Sequence, residues 1–192
     1  WDVAVTPGGV IYVADRGNNR IRKIAGGVVS TLAGSSYGFA DGKGSAARFA
    51  YPQGVAVDAE GNLYVADERN ERIRTVSAAG DVTTLAGGTA GFLDGAAANA
   101  RFYRPWGVRV APDGALIIGD RYNHRVRRIA GGVVSTLAGG SAGAVDGAAA
   151  GARFQYPAGV AVDPSGYVYV ADGNNHRVRR IRDSVAPCKI DG

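Results

Sequence analysis

The sequence predicts an all-β fold, a β-propeller built from four-stranded antiparallel blades. Three observations support this prediction: a unit of about 52 residues recurs four times, short β-branched runs alternate with tight turns, and 30 glycines supply those turns. A fixed period of this length is typical of solenoids and propellers. One four-stranded sheet cannot bury both of its faces, whereas sheets stacked radially around an axis bury them against one another.

The repeat is defined by one phrase that returns in phase along the chain. The phrase reads DRGNNRIRKI, DERNERIRTV, DRYNHRVRRI and DGNNHRVRRI in successive units. It begins at aspartates spaced 52, 53 and 52 residues apart, namely Asp15, Asp67, Asp120 and Asp172. We therefore treat the chain as a single propeller domain, residues 1–192, with repeats at 1–52, 53–105, 106–157 and 158–192.

The second repeat shows how each unit divides into four strands. β-Branched and aromatic residues fill the strand segments, as a pleated, half-buried surface favours. Gly61 supplies the turn between the first two strands, where a positive φ is needed. The predicted strands A, B, C and D are Val55–Asp58, Asn62–Ala66, Arg72–Val76 and Val82–Leu85, with a polar turn at Asp67–Asn70.

A longer linker rich in glycine and alanine joins strand D of one unit to strand A of the next. Its frame is D-G-x5-R-F-x-x-P-x-G, which starts at Asp41, Asp94 and Asp146. The Ala-rich part predicts one helical turn, which the proline then ends.

The fourth repeat lacks a recognisable strand D and ends in SVAPCKIDG. We expect either that the tail Ser184–Ile190 supplies this strand or that another chain does. An incomplete ring would leave apolar blade faces exposed, which favours self-association.

Repeats of the form P-x-G-V-A-V-D, G-x-L-Y-V-A-D and N-x-R-I-R resemble the NHL family, which is named for an Asn-His-Leu motif. Asn123-His124-Arg125 and Asn175-His176-Arg177 stand at that place, with arginine where the name has leucine. The resemblance covers almost the whole chain and implies an NHL-type propeller. Rings of this family usually close with about six blades. Four visible blades therefore imply either an arc of a larger ring or a closed four-blade ring.

An ion pair within each blade is predicted from residues that recur in every unit. Each repeat aspartate lies five residues before an arginine, and a tight turn between strands B and C would bring the two side chains together. We expect the asparagine of that turn to bond to backbone. The predicted blade-locking pairs are Asp15 with Arg20, Asp67 with Arg72, Asp120 with Arg125, and Asp172 with Arg177.

Residues that occur in one repeat only are better candidates for binding than residues that recur. Arg109 replaces an alanine found in strand A of the other repeats, and Trp106 stands just upstream of it. With Tyr103 and Arg104 they form a predicted aromatic and basic ligand-binding cluster at the channel mouth, because Arg and Trp are typical binding anchors. The alternative is that Trp106 packs on the neighbouring blade.

No catalytic residue, metal site or cofactor is predicted. His124 and His176 occupy one repeat position in the turns of separate blades, so they would not converge on a zinc ion. We interpret them as solvated turn histidines. The G-x-S-x-G match at residues 139–143 is interpreted as a turn, because no helix or histidine base accompanies it.

The leading functional prediction is a non-catalytic protein or peptide interaction or scaffolding module that uses the inter-blade-loop face. One alternative is RNA binding through the arginines of strand C, which a net charge of +5 permits. Another is a part of a propeller lyase or hydrolase whose catalytic residues lie outside this chain. No apolar run approaches the ~20 residues that span a bilayer. The compartment is left open, with a preference for a secreted or extracytoplasmic one.

Overall fold

A computed structural model describes residues 1–182 as a series of antiparallel sheets. The strands of blade 1 are Val3–Val5 (β1), Ile11–Asp15 (β2), Arg20–Ala25 (β3) and Val28–Ala33 (β4). Linker strand Gly42–Lys43 (β5) precedes blade 2, which holds Pro52–Val57 (β6), Leu63–Asp67 (β7), Arg72–Val76 (β8) and Asp81–Gly87 (β9). Linker strand Gly95–Ala96 (β10) precedes blade 3, which holds Pro105–Val110 (β11), Leu116–Asp120 (β12), Arg125–Ala130 (β13) and Val133–Gly139 (β14). Blade 4 holds Pro157–Val162 (β15), Tyr167–Asp172 (β16) and Arg177–Arg182 (β17).

The blades are arranged around an axis with their first strands innermost. Strands β1, β6, β11 and β15 contact one another in that order. Apolar side chains fill each space between neighbouring blades, as where Ile21 of blade 1 is buried in one cluster with Leu63 and Val65 of blade 2. The prediction of an all-β propeller is confirmed.

Two strands are longer than the sequence pattern indicated. Strand β6 begins at Pro52, and a register shift between Pro52 and Val55 interrupts its pairing with β7. The alternation of apolar and polar residues starts only after this irregularity, so the sequence pattern identified the later part of the strand and not its first residues. Strand β9 extends to Asp81–Gly87, because Asp81 pairs with the linker strand β5 at one end and Ala86 and Gly87 pair with β8 at the other. The predicted helical turn is a 3-10 turn at Gly44–Ala46 in the first linker.

The glycine of each P-x-G motif allows neighbouring inner strands to approach closely. A Cβ atom on Gly54 would lie 2.4 Å from the Trp106 carbonyl oxygen, and one on Gly107 would lie 2.7 Å from the Ala158 carbonyl oxygen. At the third motif, a Cβ atom on Gly159 would meet only Ala171 Cβ at an ordinary 3.7 Å. The motif therefore encodes the contact between one blade and the next.

An ion pair joins strands B and C of each blade and is buried in blades 2, 3 and 4, but its arginine is the second one of strand C. Asp67 Oδ2 accepts from Arg74 at 2.8 Å, and both side chains are fully buried. Asp120 with Arg127 repeats this arrangement at 2.7 Å. The predicted partners Arg20, Arg72, Arg125 and Arg177 are thereby corrected to Arg22, Arg74, Arg127 and Arg179.

The preceding linker completes each buried pair. Its aspartate binds the same guanidinium at 2.5 Å, through Asp41 in blade 2 and Asp94 in blade 3. Linker carbonyls accept from Arg74 as well, and the amide of Ala50 donates to Asp67 Oδ1 at 2.7 Å. Burial raises the pKa of Asp67 to about 6 despite the hydrogen bonds and the guanidinium that oppose it. The pair therefore holds the turn, strand C and the linker together.

The first arginine of strand C has a different role. Arg72 donates to the Asn70 carbonyl at 2.9 Å and lies 3.9 Å from the Phe39 ring centroid. In blade 3, Arg125 makes the same two contacts with Asn123 and Phe92. The turn asparagines bond to linker backbone as expected, and they also donate to the repeat aspartates. These contacts lie nearer the surface than the buried pair.

Blade-facing positions at the two ends of the series stay exposed within residues 1–182. Ile21, Ile73 and Val126 are completely buried, whereas the repeat-equivalent Val178 of blade 4 is 75% exposed. At the other end, Val3 is 54% exposed although its equivalent Val55 is buried. Within residues 1–182 these two end faces do not cover each other, and the self-association expected from such faces stays a prediction. The predicted fourth strand in the tail Ser184–Ile190 lies outside the described residues.

The corrected pairing predicts unequal effects for two neighbouring arginines. We expect Arg127→Met to lower the free energy of unfolding by about 3 to 5 kcal/mol, because it leaves the Asp120 carboxylate buried without its partner. Arg125→Met removes one hydrogen bond and one ring contact, and we expect a loss of about 1 kcal/mol. Urea unfolding followed by circular dichroism measures both. Equal losses would contradict the corrected assignment.

The inner-strand contact predicts a similar contrast between two glycines. We expect Gly107→Ala to cost about 2 kcal/mol, because the new methyl group collides with a backbone oxygen that cannot move freely. Gly159→Ala serves as the matched control and should cost less than about 0.5 kcal/mol. The same unfolding measurement tests the pair, and a tolerated Gly107→Ala would refute the close approach.

Candidate functional site

The turns between strands B and C lie beside the linkers on one face of the propeller, here called the turn face. In each of blades 2, 3 and 4, an amide of the 3-10 turn donates to a linker carbonyl at 3.0 Å. The donors are Arg69, Tyr122 and Asn174, and the acceptors are Ala50, Tyr103 and Gln155. Side chains from two distant parts of each repeat therefore share this surface.

A second backbone contact fixes three linker residues in a left-handed conformation. Tyr51, Arg104 and Tyr156 have φ of 55°. The amide of each donates to a side chain from the turn of the preceding blade, at 2.9, 2.5 and 3.2 Å respectively. The acceptors are Asn19 Oδ1, Glu71 Oε2 and His124 Nδ1. Each linker side chain is thereby presented in a defined direction on the turn face.

Arginines and aromatic rings meet on the turn face of blades 3 and 4. The Arg121 guanidinium lies 4.4 Å from the Trp106 ring centroid and 5.4 Å from those of Tyr122 and Tyr156. Arg104 lies 5.3 Å from the Tyr122 ring, which also contacts the Tyr103 ring at 5.2 Å. We call this set the turn-face cluster; it consists of Tyr103, Arg104, Trp106, Arg121, Tyr122 and Tyr156.

A second group of cations surrounds a buried carboxylate on the same face. Glu68 is 3% exposed and pairs with Arg104 at 3.0 Å, Arg16 at 3.4 Å and Arg69 at 3.6 Å. Gln53 Nε2 donates to the same carboxylate at 2.5 Å. Three guanidinium groups around one carboxylate leave an excess of positive charge beside the turn-face cluster.

Three of the four predicted binding residues lie in the turn-face cluster, and the fourth lies deeper. Arg109 forms a two-pronged ion pair with Asp2 at 2.9 and 3.1 Å and donates to the Val108 carbonyl. Together with Trp1 and Trp106, this pair lines a cavity of about 150 Å³ between the inner strands. Trp106 thus connects the cavity to the turn face.

Sequence reasoning missed Arg121, Tyr122 and Tyr156. Arg121 and Tyr122 follow a repeat aspartate inside a recurring phrase, and their neighbours in that phrase suggested a structural role. The available signal was that blade 3 alone combines arginine and tyrosine at those two positions.

The second arginines of strand C in blades 2, 3 and 4 are not part of an exposed basic belt. Arg74 and Arg127 are completely buried, and Arg179 is 9% exposed. The first arginines, Arg72 and Arg125, stack on phenylalanine rings. In blade 4, however, Arg177, Arg180 and Arg182 of β17 are exposed, so basic surface is available both on that strand and on the turn face.

His124 is a structural acceptor, which corrects its interpretation as a solvated turn residue. Its Nδ1 accepts the Tyr156 amide, so the ring is neutral with its proton on Nε2. Burial, and after it the neighbouring Arg125, hold the pKa of His124 below its usual value, although Asp172 opposes them.

In the described part of the chain, no group of three or more His, Cys, Asp or Glu side chains is placed to hold a metal ion. Residues 1–182 also contain no helix that is long and apolar enough to cross a bilayer.

The His124 contact predicts a pH-dependent component of stability. Because its pKa is lowered on folding, the unfolded chain takes up the proton first as pH falls, so this contribution is present above the ordinary value of 6.5 and lost below it. We expect the stability difference between the original chain and His124→Asn to shrink or reverse between about pH 7.5 and 5.5, because asparagine accepts the same amide in blade 1 without titrating. Asp67 and Asp120 titrate in both proteins and cancel in this difference.

Urea unfolding of both proteins at several pH values measures this effect. His176→Asn is the matched control, because within residues 1–182 no linker amide follows that turn. The pH dependence of stability that is attributed to His124 should be unchanged in this variant. A pH-independent difference for His124→Asn would contradict the acceptor role.

The chain matches known proteins in sequence and in fold. It is 32% identical to the Arabidopsis thaliana protein SUPPRESSOR OF QUENCHING 1, chloroplastic, over 94% of this chain and 19% of that protein. It is 30% identical to human NHL repeat-containing protein 2 over 69% of this chain and 21% of that protein. The chain thus spans about a fifth of the length of these relatives.

Solved structures share the arrangement of blades. A Bacteroides thetaiotaomicron protein of unknown function superposes with a TM-score of 0.79 at 22% identity, over 94% of this chain and 46% of that one. An auxiliary nutrient binding protein from Bacteroides ovatus gives 0.74 at 24% identity, over 94% and 47%. The Staphylococcus aureus virginiamycin B lyase gives 0.62 at 14% identity, over 96% and 56%.

The sequence pattern of the NHL repeat matches residues 1–24, 49–75, 102–129 and 154–181. These segments each cover the inner strands and the turn of one blade, and together they make up more than half of the chain. The chain therefore belongs to the NHL repeat family.

Proposed function

We propose that this chain is a non-catalytic binding module that holds a protein or peptide ligand, with acidic side chains, on its turn face. The observation that carries the proposal is the position of Arg121 among the rings of Trp106, Tyr122 and Tyr156. Binding hot spots are enriched in tryptophan, tyrosine and arginine, and these residue types are concentrated here.

The chemistry of the cluster supports an acidic ligand. A guanidinium held over an aromatic ring keeps its N–H donors directed outward in its own plane, where a carboxylate can accept from two of them. The surplus cations around Glu68 add to the attraction and would steer an acidic segment toward the face. Arg109 and its cavity lie next to Trp106, and we propose that they extend the site toward the axis.

The fold of the relatives agrees with a binding role. The nutrient binding protein from Bacteroides ovatus shares the fold, although an identity of 24% says nothing about which ligand this chain takes. Because the chain spans about a fifth of its sequence relatives, its ligand is argued from its own residues.

Single-stranded RNA is the second candidate. The turn-face cluster interleaves aromatic rings with arginines, and single-strand binding proteins use this combination to stack bases beside a basic backbone track. The same experiment separates the two ligands, because RNA binding would weaken steeply with salt.

The test is selection of peptides from a random phage library on the 192-residue chain, followed by fluorescence anisotropy with the enriched peptides. We expect enrichment of acidic sequences, and about tenfold weaker binding to Trp106→Ala and to Arg121→Ala. Lys43→Ala removes an exposed charge away from the cluster and should change affinity by less than about twofold.

Two outcomes would count against the proposal. Peptides that bind the two variants as well as the original chain would place the site elsewhere. Tighter binding of an oligouridine of about 12 nucleotides, lost in Arg121→Ala and steeply salt-dependent, would favour RNA over a peptide.

A further inference from the structure

Blade 1 carries a group of side chains on the turn face that repeats the arrangement around Arg121 in blade 3. The Arg16 guanidinium lies 5.3 Å from the Trp1 ring centroid and 4.5 Å from that of Tyr51. Arg121 makes the same two kinds of ring contact, at 4.4 and 5.4 Å. We call these sets the blade 1 subsite and the blade 3 subsite; they consist of Trp1, Arg16 and Tyr51, and of Trp106, Arg121 and Tyr156.

The two subsites use the same three positions of the repeat. Each tryptophan lies two residues before the first valine of strand A, each arginine follows the repeat aspartate, and each tyrosine is the left-handed linker residue. The amide of each tyrosine donates to a side chain from the turn of the preceding blade. The subsites are therefore built on equivalent backbone frames, two blades apart.

Blade 2 lies between the subsites and has different side chains at the same three positions. Gln53 stands in place of the tryptophan, Glu68 in place of the arginine, and Arg104 in place of the tyrosine. Gln53 and Arg104 both donate to the Glu68 carboxylate, at 2.5 and 3.0 Å. Arg104 is thus engaged within the protein, and blade 2 separates the two subsites.

The guanidinium groups of both subsites keep N–H donors for a ligand. Within residues 1–182, the Arg121 side chain makes no hydrogen bond or ion pair, and that of Arg16 makes one, with Glu68 at 3.4 Å. A guanidinium has five N–H donors in a planar fork that matches the two oxygens of a carboxylate. Each subsite can therefore bind one ligand carboxylate through two donors.

One cavity connects the two subsites. Trp1 and Trp106 both line the cavity of about 150 Å³ between the inner strands. A cavity of this size holds a group of about the size of benzene. The two tryptophans are therefore separated by little more than one side chain, and one short extended segment can reach both subsites.

We propose that the turn face binds one extended acidic segment of a partner protein at two points. One carboxylate of the segment binds Arg16 in the blade 1 subsite, and a second carboxylate binds Arg121 in the blade 3 subsite. This inference rests on the proposed function and adds to it a second subsite and a defined spacing between the acidic groups. Two linked contacts bind more tightly than one, because the second contact forms within the complex.

The probes are fluorescein-labelled peptides with two Glu-Glu pairs that are joined by Gly-Ser spacers of about two to eight residues. A control peptide has Gln-Gln in place of the second pair. Anisotropy titrations at low salt measure the affinity of each peptide for the 192-residue chain. We expect the best spacer to give about tenfold tighter binding than the control peptide, and shorter or longer spacers to bind less tightly.

Variants of the chain show whether both subsites are used. The best two-pair peptide should bind about tenfold more weakly to Arg16→Ala and to Arg121→Ala, because each variant leaves one point of attachment. The control peptide should lose less than about twofold in either variant, since it can occupy the remaining subsite. Lys43→Ala removes a charge outside both subsites and should leave both affinities unchanged.

Trp1→Ala gives a second test of the blade 1 subsite that leaves the ion pairs of Glu68 in place. We expect it to weaken binding of the two-pair peptide about threefold through loss of the ring beneath Arg16. Circular dichroism checks that each variant is folded, and Trp1→Ala decides the question if Arg16→Ala does not fold.

The pattern of losses separates this inference from the proposed function. Loss of binding in Arg121→Ala, with no loss in Arg16→Ala or Trp1→Ala, would leave a single binding point and overturn two-point binding alone. Equal affinities for every spacer and for the control peptide would also overturn it. No binding of any peptide, or binding that is indifferent to Arg16→Ala, Arg121→Ala and Trp106→Ala, would contradict the proposed function as well.

Discussion

The buried aspartate–arginine pair at the end of strand B is the contact on which the rest of each blade depends. An ionised pair removed from water is stable only when further hydrogen bonds satisfy it. Arg127 meets this condition through Asp120, Asp94 and two linker carbonyls. These partners come from the end of strand B and from the preceding linker, so satisfying one guanidinium fixes the linker, the turn and the strand at once.

This constraint also explains why the ion pair differs in length and burial between blades. In blade 1 the pair between Asp15 and Arg22 is longer, at 3.5 Å, and about a quarter exposed. The described residues contain no linker in front of it. Water screens such a pair, and exposed pairs of this kind contribute little to stability. The linker is therefore as much a part of the blade that follows it as the strands are.

Much of the fold was predictable because it is repeated. The in-phase aspartates, the glycines of the turns and the P-x-G motif each occur several times, so a pattern with a structural cause stood out from chance. The arginine of the ion pair was misassigned because Arg72 and Arg74 lie on the same face of strand C. Which one is covered depends on the path of the linker, and this path is a tertiary feature that the spacing does not contain.

The candidate site was predictable only in part, for a related reason. Tyr103 and Arg104 were identified because they break the repeat, and Trp106 because tryptophan is a typical binding anchor, since Trp1 occupies the same repeat position in blade 1. Arg121 and Tyr156 join them through a fold that brings the turn of one blade beside the linker of the next. The assignment of His124 required the same information, since its acceptor role depends on an amide 32 residues away.

At the left-handed linker residues, the backbone amide makes the structural contact, whereas the side chain is free to face solvent or a ligand. Tyr51, Arg104 and Tyr156 share one backbone conformation and one amide contact, yet the position holds tyrosine in two linkers and arginine in the third. Each of these positions can therefore carry a different side chain without a change in the backbone around it. Specificity in such a protein can diverge one position at a time, and paralogues with the same blades can acquire unrelated ligands at little risk to folding.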